Sequence, residues 1–199
     1  DKQNPLHRQA FKHKLASYLK ITIEKPSRLQ VWFWDESGFS LRVIRRKNWG
    51  KKGQRKKVTG QRRVGRVNIM GGLRYHDKKR LNFVIKKGDS DTFYEQIKSL
   101  NAAVIQEWID QGNEESSFTV SGPKIVIILD NASFHKKKDI LIKIEREMPH
   151  IILEFLPAYS PDYNLIELVW HSAKEYIANR LFESVEELEK LLHKLLNEG

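Results

Sequence analysis

The sequence contains no cysteine, so disulfide bridges and thiolate metal centres are both excluded. Long apolar runs are also absent, because the longest aliphatic stretch, residues 125–129, is far too short to cross a bilayer. No secretion signal is recognisable at the start of the sequence. These absences predict a protein of a reducing compartment, the cytoplasm, that does not insert into a membrane.

Acidic residues are missing from one segment. Residues 42–66 contain twelve Lys or Arg and no Asp or Glu, whereas the other 174 residues contain 24 bases and 25 acids. This density is typical of a phosphate-binding surface, because each neutralised phosphate releases counterions. A solvated loop that keeps the protein soluble is the alternative. The predicted nucleic-acid contacts are Arg45, Arg46, Lys47, Trp49, Lys51, Lys52, Arg55, Lys56, Lys57, Arg62, Arg63 and Arg66.

Hydrophobic periodicity and the turn residues predict alternating helices and strands. Helices are predicted at residues 1–25, 91–111, 136–147, 164–180 and 185–197. Strands are predicted at residues 29–35, 67–75, 80–86, 124–129 and 151–155. The early strands are joined by a hairpin and the later ones alternate with helices. This order predicts an α/β fold with a mixed five-stranded sheet flanked by helices.

Two carboxylates end predicted strands that are otherwise apolar. Asp35 follows the first strand and Asp130 follows the fourth. Ligand sites concentrate at strand ends in α/β sheets, and neighbouring carboxylates with no Cys or His cluster favour Mg²⁺ or Mn²⁺. Glu36 should point to the opposite face, because side chains alternate along a strand. The alternatives are a turn residue at Asp35 and an Asx-turn of Asp130 with Asn131.

A third acid, Glu167, has two interpretations. It lies at the start of a predicted helix, where it could hold a metal ion together with the two aspartates. It also lies three residues after Asn164, which is the spacing of a capping box, so its carboxylate could bond back to the Asn164 amide. The spacing alone leaves both interpretations open.

Three strings carry a family resemblance: WFWDESGF, IVIILDNASFH and LPAYSPDYNLIELVW. In this order they resemble the catalytic blocks of the mariner superfamily of DDE transposases, particularly its bacterial insertion-sequence branch. The resemblance covers residues 29–174. Leu165 stands where the family usually has proline, and 36 residues separate Asp130 from Glu167, slightly more than is common. Neither departure touches a predicted ligand.

The resemblance implies an RNase H-like fold and names the acids Asp35, Asp130 and Glu167 as the catalytic, metal-binding residues. It implies a catalytic domain at residues 29–199 with a basic DNA-contacting insertion at 42–66, in which WGKKGQ matches a DNA-contacting element. Residues 1–28 would form a linker helix after a helix-turn-helix domain that this chain does not include. A bacterial protein of this kind would be cytoplasmic and associated with the nucleoid.

The implied activity is DNA transposition with two Mg²⁺ or Mn²⁺ ions per active site, where Asp35 would bridge both ions. Water would cut the transposon end, and the freed 3′-hydroxyl would attack target DNA. The partners would be terminal inverted repeats, target DNA and a second copy of the chain on DNA. The alternatives are an RNase H-like nuclease without strand transfer and a domesticated DNA-binding module without metal.

Four further polar residues have competing roles. His135 could position a metal-bound water or a phosphate, or simply pack. Lys174 matches a lysine of the family and could contact DNA or form a surface ion pair. Asp162 could replace Glu167 as third ligand, although a turn role after Pro161 is the alternative. His171 lies one turn after Glu167 and could support the site or be structural.

Overall fold

A five-stranded mixed sheet forms the centre of the protein, in a computed structural model that describes residues 4–42, 64–178 and 180–198. The strand order is β3-β2-β1-β4-β5, with the first three strands antiparallel and β4 and β5 parallel to β1. The predicted fold class is therefore confirmed. The strands are β1 (Leu29–Ser40), β2 (Arg66–Arg74), β3 (Arg80–Ile85), β4 (Lys124–Leu129) and β5 (Ile151–Phe155).

Helices cover both faces of the sheet. They are α1 (Pro5–Glu24), α2 (Ser90–Asp110), α3 (Phe118–Ser121), α4 (Lys138–Glu147), α5 (Ile166–Ile177) and α6 (Val185–His193). One hydrophobic core joins the sheet to α1, α5 and α6, and a second core joins the opposite face to α2 and α4. Short 3-10 turns lie at Glu115–Ser117, Ser133–Lys136 and Pro161–Tyr163, and a π-helical turn at Lys194–Glu198 ends the described chain.

The alternation of side chains along β1 divides the two cores. Phe33 and Phe39 face α5, whereas Trp32 and Trp34 face α2. In β4 all five residues from Ile125 to Leu129 are fully buried, because helices cover the strand from both sides. The buried strands β1 and β4 therefore determine the position of the polar residues at and after their carboxyl ends.

The prediction that Asp35 ends β1 is wrong, since the strand continues to Ser40. The added length comes from antiparallel pairing with β2, in which Asp35 lies opposite Gly71 and Ser40 lies opposite Arg66. Parallel pairing with β4 stops earlier, at Phe33. Asp35 thus lies in the part of β1 that extends past its parallel neighbour, which leaves one side of it open.

The ends of the helices differ from the prediction by a few residues. The side chain of Asn4 caps α1 by accepting from the amide of Leu6 at 3.0 Å, and Pro5 occupies the first helical position. At α6 the Ser184 hydroxyl caps the helix by accepting from the Glu187 amide at 3.2 Å. The segment between the predicted second helix and fourth strand contains α3, since Phe118 is buried against the second core.

None of the described helices combines the length and the apolar composition that crossing a membrane requires.

Candidate active site

The register of β1 and β4 brings the two aspartates together. Phe33 pairs with Ile128 in the parallel ladder, so the same register continued by two residues places Asp35 level with Asp130. Residues level with each other on neighbouring parallel strands point to the same face. The indole of Trp170, on α5, donates to Asp35 Oδ2 at 3.2 Å. Helix α5 is thereby fastened to the same edge of the sheet.

Asp35 is a half-buried carboxylate among other acids. Burial raises its pKa to about 7, although the backbone amide of Glu36 opposes the rise. The negative charges of Glu167, Glu36 and Asp130 raise it further. Each of these three acids therefore lies close enough to act on Asp35, and the protein concentrates negative charge at this edge of the sheet.

Asp130 uses one of its oxygens for local structure. Its Oδ1 accepts from the amide of Ala132 at 2.9 Å, which forms the Asx-turn considered above, and from His135 Nδ1, also at 2.9 Å. The His135 hydrogen bond is the main reason why the pKa of Asp130 is lowered. The turn and a metal-binding role are compatible, because the turn occupies Oδ1 and leaves Oδ2.

His135 is fully buried and joins two carboxylates. Its Nδ1 faces Asp130 and its Nε2 lies 2.8 Å from Glu36 Oε1. Burial lowers the pKa of His135, but the two carboxylates outweigh it and raise the pKa to about 9. Both ring nitrogens thus face acceptors and both donate, so the ring carries a positive charge. The aromatic rings of Phe93 and Phe134 pack on it at 4.5 and 4.3 Å.

Glu36 is the polar residue that sequence reasoning placed outside the site. The prediction of its face is consistent with the structure, since it follows Trp34 on the α2 side of the sheet. It nevertheless reaches Asp130 through His135, which comes 99 residues later in the chain. No spacing rule links positions so far apart, so only the fold reveals this connection.

Glu167 lies exposed in the first turn of α5. The capping-box alternative is not supported among the contacts of the described residues, since the backbone N–H of Asn164 donates instead to the Pro161 carbonyl at 2.8 Å. The side-chain amide of Asn164 donates to the Trp34 carbonyl at 3.0 Å. Only backbone atoms join Glu167 to Asn164, at 3.1 Å. The Asn164 side chain thus ties the start of α5 to the residue before Asp35, and the Glu167 carboxylate is left to other uses.

Asp162 is held by α1. Arg8 donates to Asp162 Oδ2 at 2.9 Å and to the hydroxyl of Ser160 at 2.8 Å, and its guanidinium lies 5.0 Å from the centre of the Tyr163 ring. These contacts favour the turn role of Asp162 over a role as third metal ligand. They also connect the amino-terminal helix to the loop that precedes Glu167.

Of the predicted DNA contacts, two lie within the described residues. Lys174 is on α5, with its Nζ 5.9 Å from the centre of the Phe39 ring, and Arg66 begins β2 with its guanidinium directly over Gly38. The others, Arg45, Arg46, Lys47, Trp49, Lys51, Lys52, Arg55, Lys56, Lys57, Arg62 and Arg63, lie outside the described residues. His171 is exposed beside Glu175 at 3.9 Å, which indicates a surface role.

Comparison with known proteins identifies the family. The profile of the DDE superfamily endonucleases matches residues 30–189, most of the chain. The chain belongs to the DDE superfamily endonucleases. None of the curated proteins compared with it matches. The family assignment makes the protein an enzyme of the endonuclease class.

Solved structures show the fold of this DDE endonuclease domain. The structural alignment covers 98% of this chain in each of three comparisons. The structures are the Mos1 strand transfer complex (16% identity, TM-score 0.68), the Mos1 mariner paired end complex with Mn (17% identity, TM-score 0.67) and the catalytic domain of Mos1 mariner transposase (15% identity, TM-score 0.62). The predicted RNase H-like fold is confirmed. The matches cover 55%, 56% and 83% of those chains, so the chain spans about half the length of the first two.

The side chains of the DDE endonuclease site suit a hard divalent cation in their chemistry, because all the candidate donors are carboxylate oxygens. Within the described residues, neither Asp35 nor Glu167 forms an ion pair with Lys, Arg or His, which leaves negative charge for a cation to balance. In that same part of the chain, no group of three or more His, Cys, Asp or Glu side chains is arranged to hold a metal ion. The carboxylates of Asp35, Asp130 and Glu167 are therefore suitable ligands for a divalent cation, but in the described residues the three do not converge on one point.

Proposed function

We propose that this domain is the catalytic domain of a DNA transposase, which cuts phosphodiester bonds at transposon ends and joins the freed 3′-hydroxyl to target DNA. The observation that carries the proposal is the proximity of Asp35 and Asp130, two residues past the last pair of the β1–β4 ladder, within the segment that matches the endonuclease family. The Mos1 strand transfer complex and the Mos1 mariner paired end complex have the same fold, which supports the transposase assignment.

In the proposed mechanism, Asp35, Asp130 and Glu167 hold two divalent ions, Mg²⁺ or Mn²⁺. Complexes of Mos1 with Mn and with Mg support this choice of metal. Such ions supply an activated water and balance the negative charge that develops at the phosphate. The raised pKa of Asp35, about 7, means that its carboxylate takes up a proton readily when no cation is near.

The chain's own residues would orient these acids. Trp170 holds one oxygen of Asp35, and Ala132 and His135 hold one oxygen of Asp130. Asp130 thus keeps its Oδ2 for a ligand. Glu167 approaches from the start of α5, and because it is exposed it can meet a substrate that arrives from solvent. The two aspartates are oriented by hydrogen bonds, and Glu167 is the most exposed of the three acids.

The DNA partners are part of the proposal. We infer that the basic segment 42–66, which includes Arg66, contacts the phosphates of transposon ends and target DNA together with Lys174. We also infer that two copies of the protein pair on two ends. The charge of the segment supports the first inference, and the paired end complexes of Mos1 support the second. The bacterial insertion-sequence branch, and with it a cytoplasmic location at the nucleoid, stays a prediction.

The test uses the full-length protein with its own terminal repeats, in Mg²⁺ or Mn²⁺. Asp130→Asn should abolish cleavage and strand transfer while DNA affinity stays nearly unchanged, because the amide removes a metal ligand and no phosphate contact. Asp139→Asn, the same change at an exposed aspartate of α4, is the control and should cut at the normal rate. Wild-type cleavage by Asp130→Asn would overturn the proposal, and cleavage that ignores the terminal repeats would favour a simple nuclease.

A further inference from the structure

The Asp130 carboxylate is held asymmetrically. Both of its hydrogen bonds, from the Ala132 amide and from His135 Nδ1, end on Oδ1 at 2.9 Å. A carboxylate oxygen has two lone-pair directions in its plane, so Oδ1 is fully used. The carboxylate therefore cannot rotate without losing a bond, and Oδ2 is the oxygen that remains for another ligand.

His135, which contacts Asp130 Oδ1, is itself held by further contacts. His135 is fully buried, lies between the rings of Phe93 and Phe134, and donates its other N–H to Glu36 Oε1 at 2.8 Å. Glu36 lies on β1 directly after Asp35, but on the opposite face. The chain of contacts from Glu36 through His135 to Asp130 thus joins β1 to the loop that follows β4, next to both aspartates.

We propose that Glu36 and His135 are a positioning pair, which orients Asp130 so that Oδ2 faces the metal ion. The inference rests on the proposed function, because it takes Asp130 as a metal ligand. Neither member touches the metal or the DNA; Glu36 fixes the ring of His135, and His135 fixes the carboxylate. Partners that orient a ligand in this way typically contribute about 10- to 100-fold in metal affinity.

The pair can be tested by its effect on metal binding, independently of activity. In the full-length protein, Mn²⁺ affinity is measured from the electron paramagnetic resonance signal of free Mn²⁺. Glu36→Ala leaves the ring of His135 without its anchor and should weaken Mn²⁺ binding by about tenfold or more. Glu36→Gln keeps an oxygen that accepts from His135 Nε2, so it should retain most of the affinity.

The comparison of these two variants separates positioning from charge, since both remove the same negative charge. An equal loss in Glu36→Gln and Glu36→Ala would overturn the positioning role. The control is Glu107→Ala, because the Glu107 side chain is 23% exposed against 21% for Glu36 and pairs with the buried Arg74 near the start of β1. It should lower the melting temperature while leaving Mn²⁺ affinity unchanged, and an equal loss of affinity there would show a merely structural effect.

Asp130→Asn in the same Mn²⁺ titration separates a failure of the proposed function from a failure of the positioning pair. If Asp130→Asn binds Mn²⁺ like the wild type, the proposed function fails. If Asp130→Asn weakens binding and Glu36→Ala does not, the proposed function stands and the positioning pair is overturned. Each variant is compared at a temperature well below its own melting transition, so that unfolding does not appear as lost affinity.

Discussion

The surroundings of Asp35 in the folded protein disfavour the charged form of its carboxylate. Its carboxylate is half-buried, and its neighbours Glu36, Asp130 and Glu167 are acids. A charge in such surroundings costs free energy unless a cation or hydrogen bonds compensate it, and here Trp170 provides one hydrogen bond. The residue is therefore expected to lower stability in the absence of metal, which is typical of a site selected for binding.

This cost should depend on pH. The native pKa of Asp35 is about 7, above the usual 3.8, so between these values the native state keeps a proton that the unfolded state has lost. Stability should thus fall as the pH rises from about 4 to about 7. Asp35→Asn removes this titration and should be more stable than the wild type at pH 8 by roughly 1–2 kcal/mol, after allowance for solvent screening.

Urea unfolding in the presence of EDTA, at pH 8 and at pH 4, measures the effect. The difference between Asp35→Asn and the wild type should be present at pH 8 and nearly vanish at pH 4. Asp139→Asn, which changes an exposed aspartate, should show no such pattern. Equal stability of Asp35→Asn and the wild type at pH 8 would mean that Asp35 is not penalised by its surroundings.

At the scale of elements, the loop between β5 and α5 decides where Glu167 lies. Three contacts hold it: Arg8 on α1 binds Ser160 and Asp162, and the Asn164 side chain binds the carbonyl of Trp34. Phe11 adds a ring contact to Tyr163 at 5.7 Å. Helix α1 therefore helps to hold the loop that precedes Glu167.

Arg8→Gln should loosen this loop. The glutamine cannot form the two-pronged ion pair with Asp162, so the amides of Tyr163 and Asn164, which bond within the turn, should exchange with solvent several-fold faster. Hydrogen–deuterium exchange with mass spectrometry measures this. Lys20→Gln, on the same helix but paired only with Glu24, is the control and should leave exchange at residues 159–164 unchanged. Unchanged exchange in Arg8→Gln would show that the loop is held without α1.

The elements also show which features a sequence can predict. Strands β4 and β5 match the prediction residue for residue. Their apolar runs are too short for a helix and are bounded by polar residues, which favours a buried strand. The length of β1 was missed, since its last residues are held by pairing with β2 rather than by their own pattern. The Glu36–His135 contact was missed for a related reason: it depends on tertiary structure, which local periodicity does not contain.

At the scale of the whole molecule, the excess of positive charge belongs to one segment of the sequence. The described edge of the sheet gathers Asp35, Asp130 and Glu167, whereas the excess of positive charge lies in residues 42–66. Lys174 is a base close to these acids, because it is on α5 with Glu167 and lies beside Phe39 near the end of β1. A nucleic acid bound at the acids would otherwise be repelled by them, so nearby lysines and arginines are required to hold its phosphates.

This arrangement predicts a measurable salt dependence. If Lys174 contacts a phosphate, Lys174→Gln should reduce the slope of log affinity against log salt concentration by about 0.9 and weaken binding to all DNA sequences similarly. The affinity of the full-length protein for its terminal repeats is measured by fluorescence anisotropy between low and moderate salt. Lys20→Gln removes the same charge from α1, where Lys20 is largely exposed, and should change the slope little. Equal slopes for the two variants would place Lys174 outside the DNA contact and leave the phosphates to Arg66 and the basic segment.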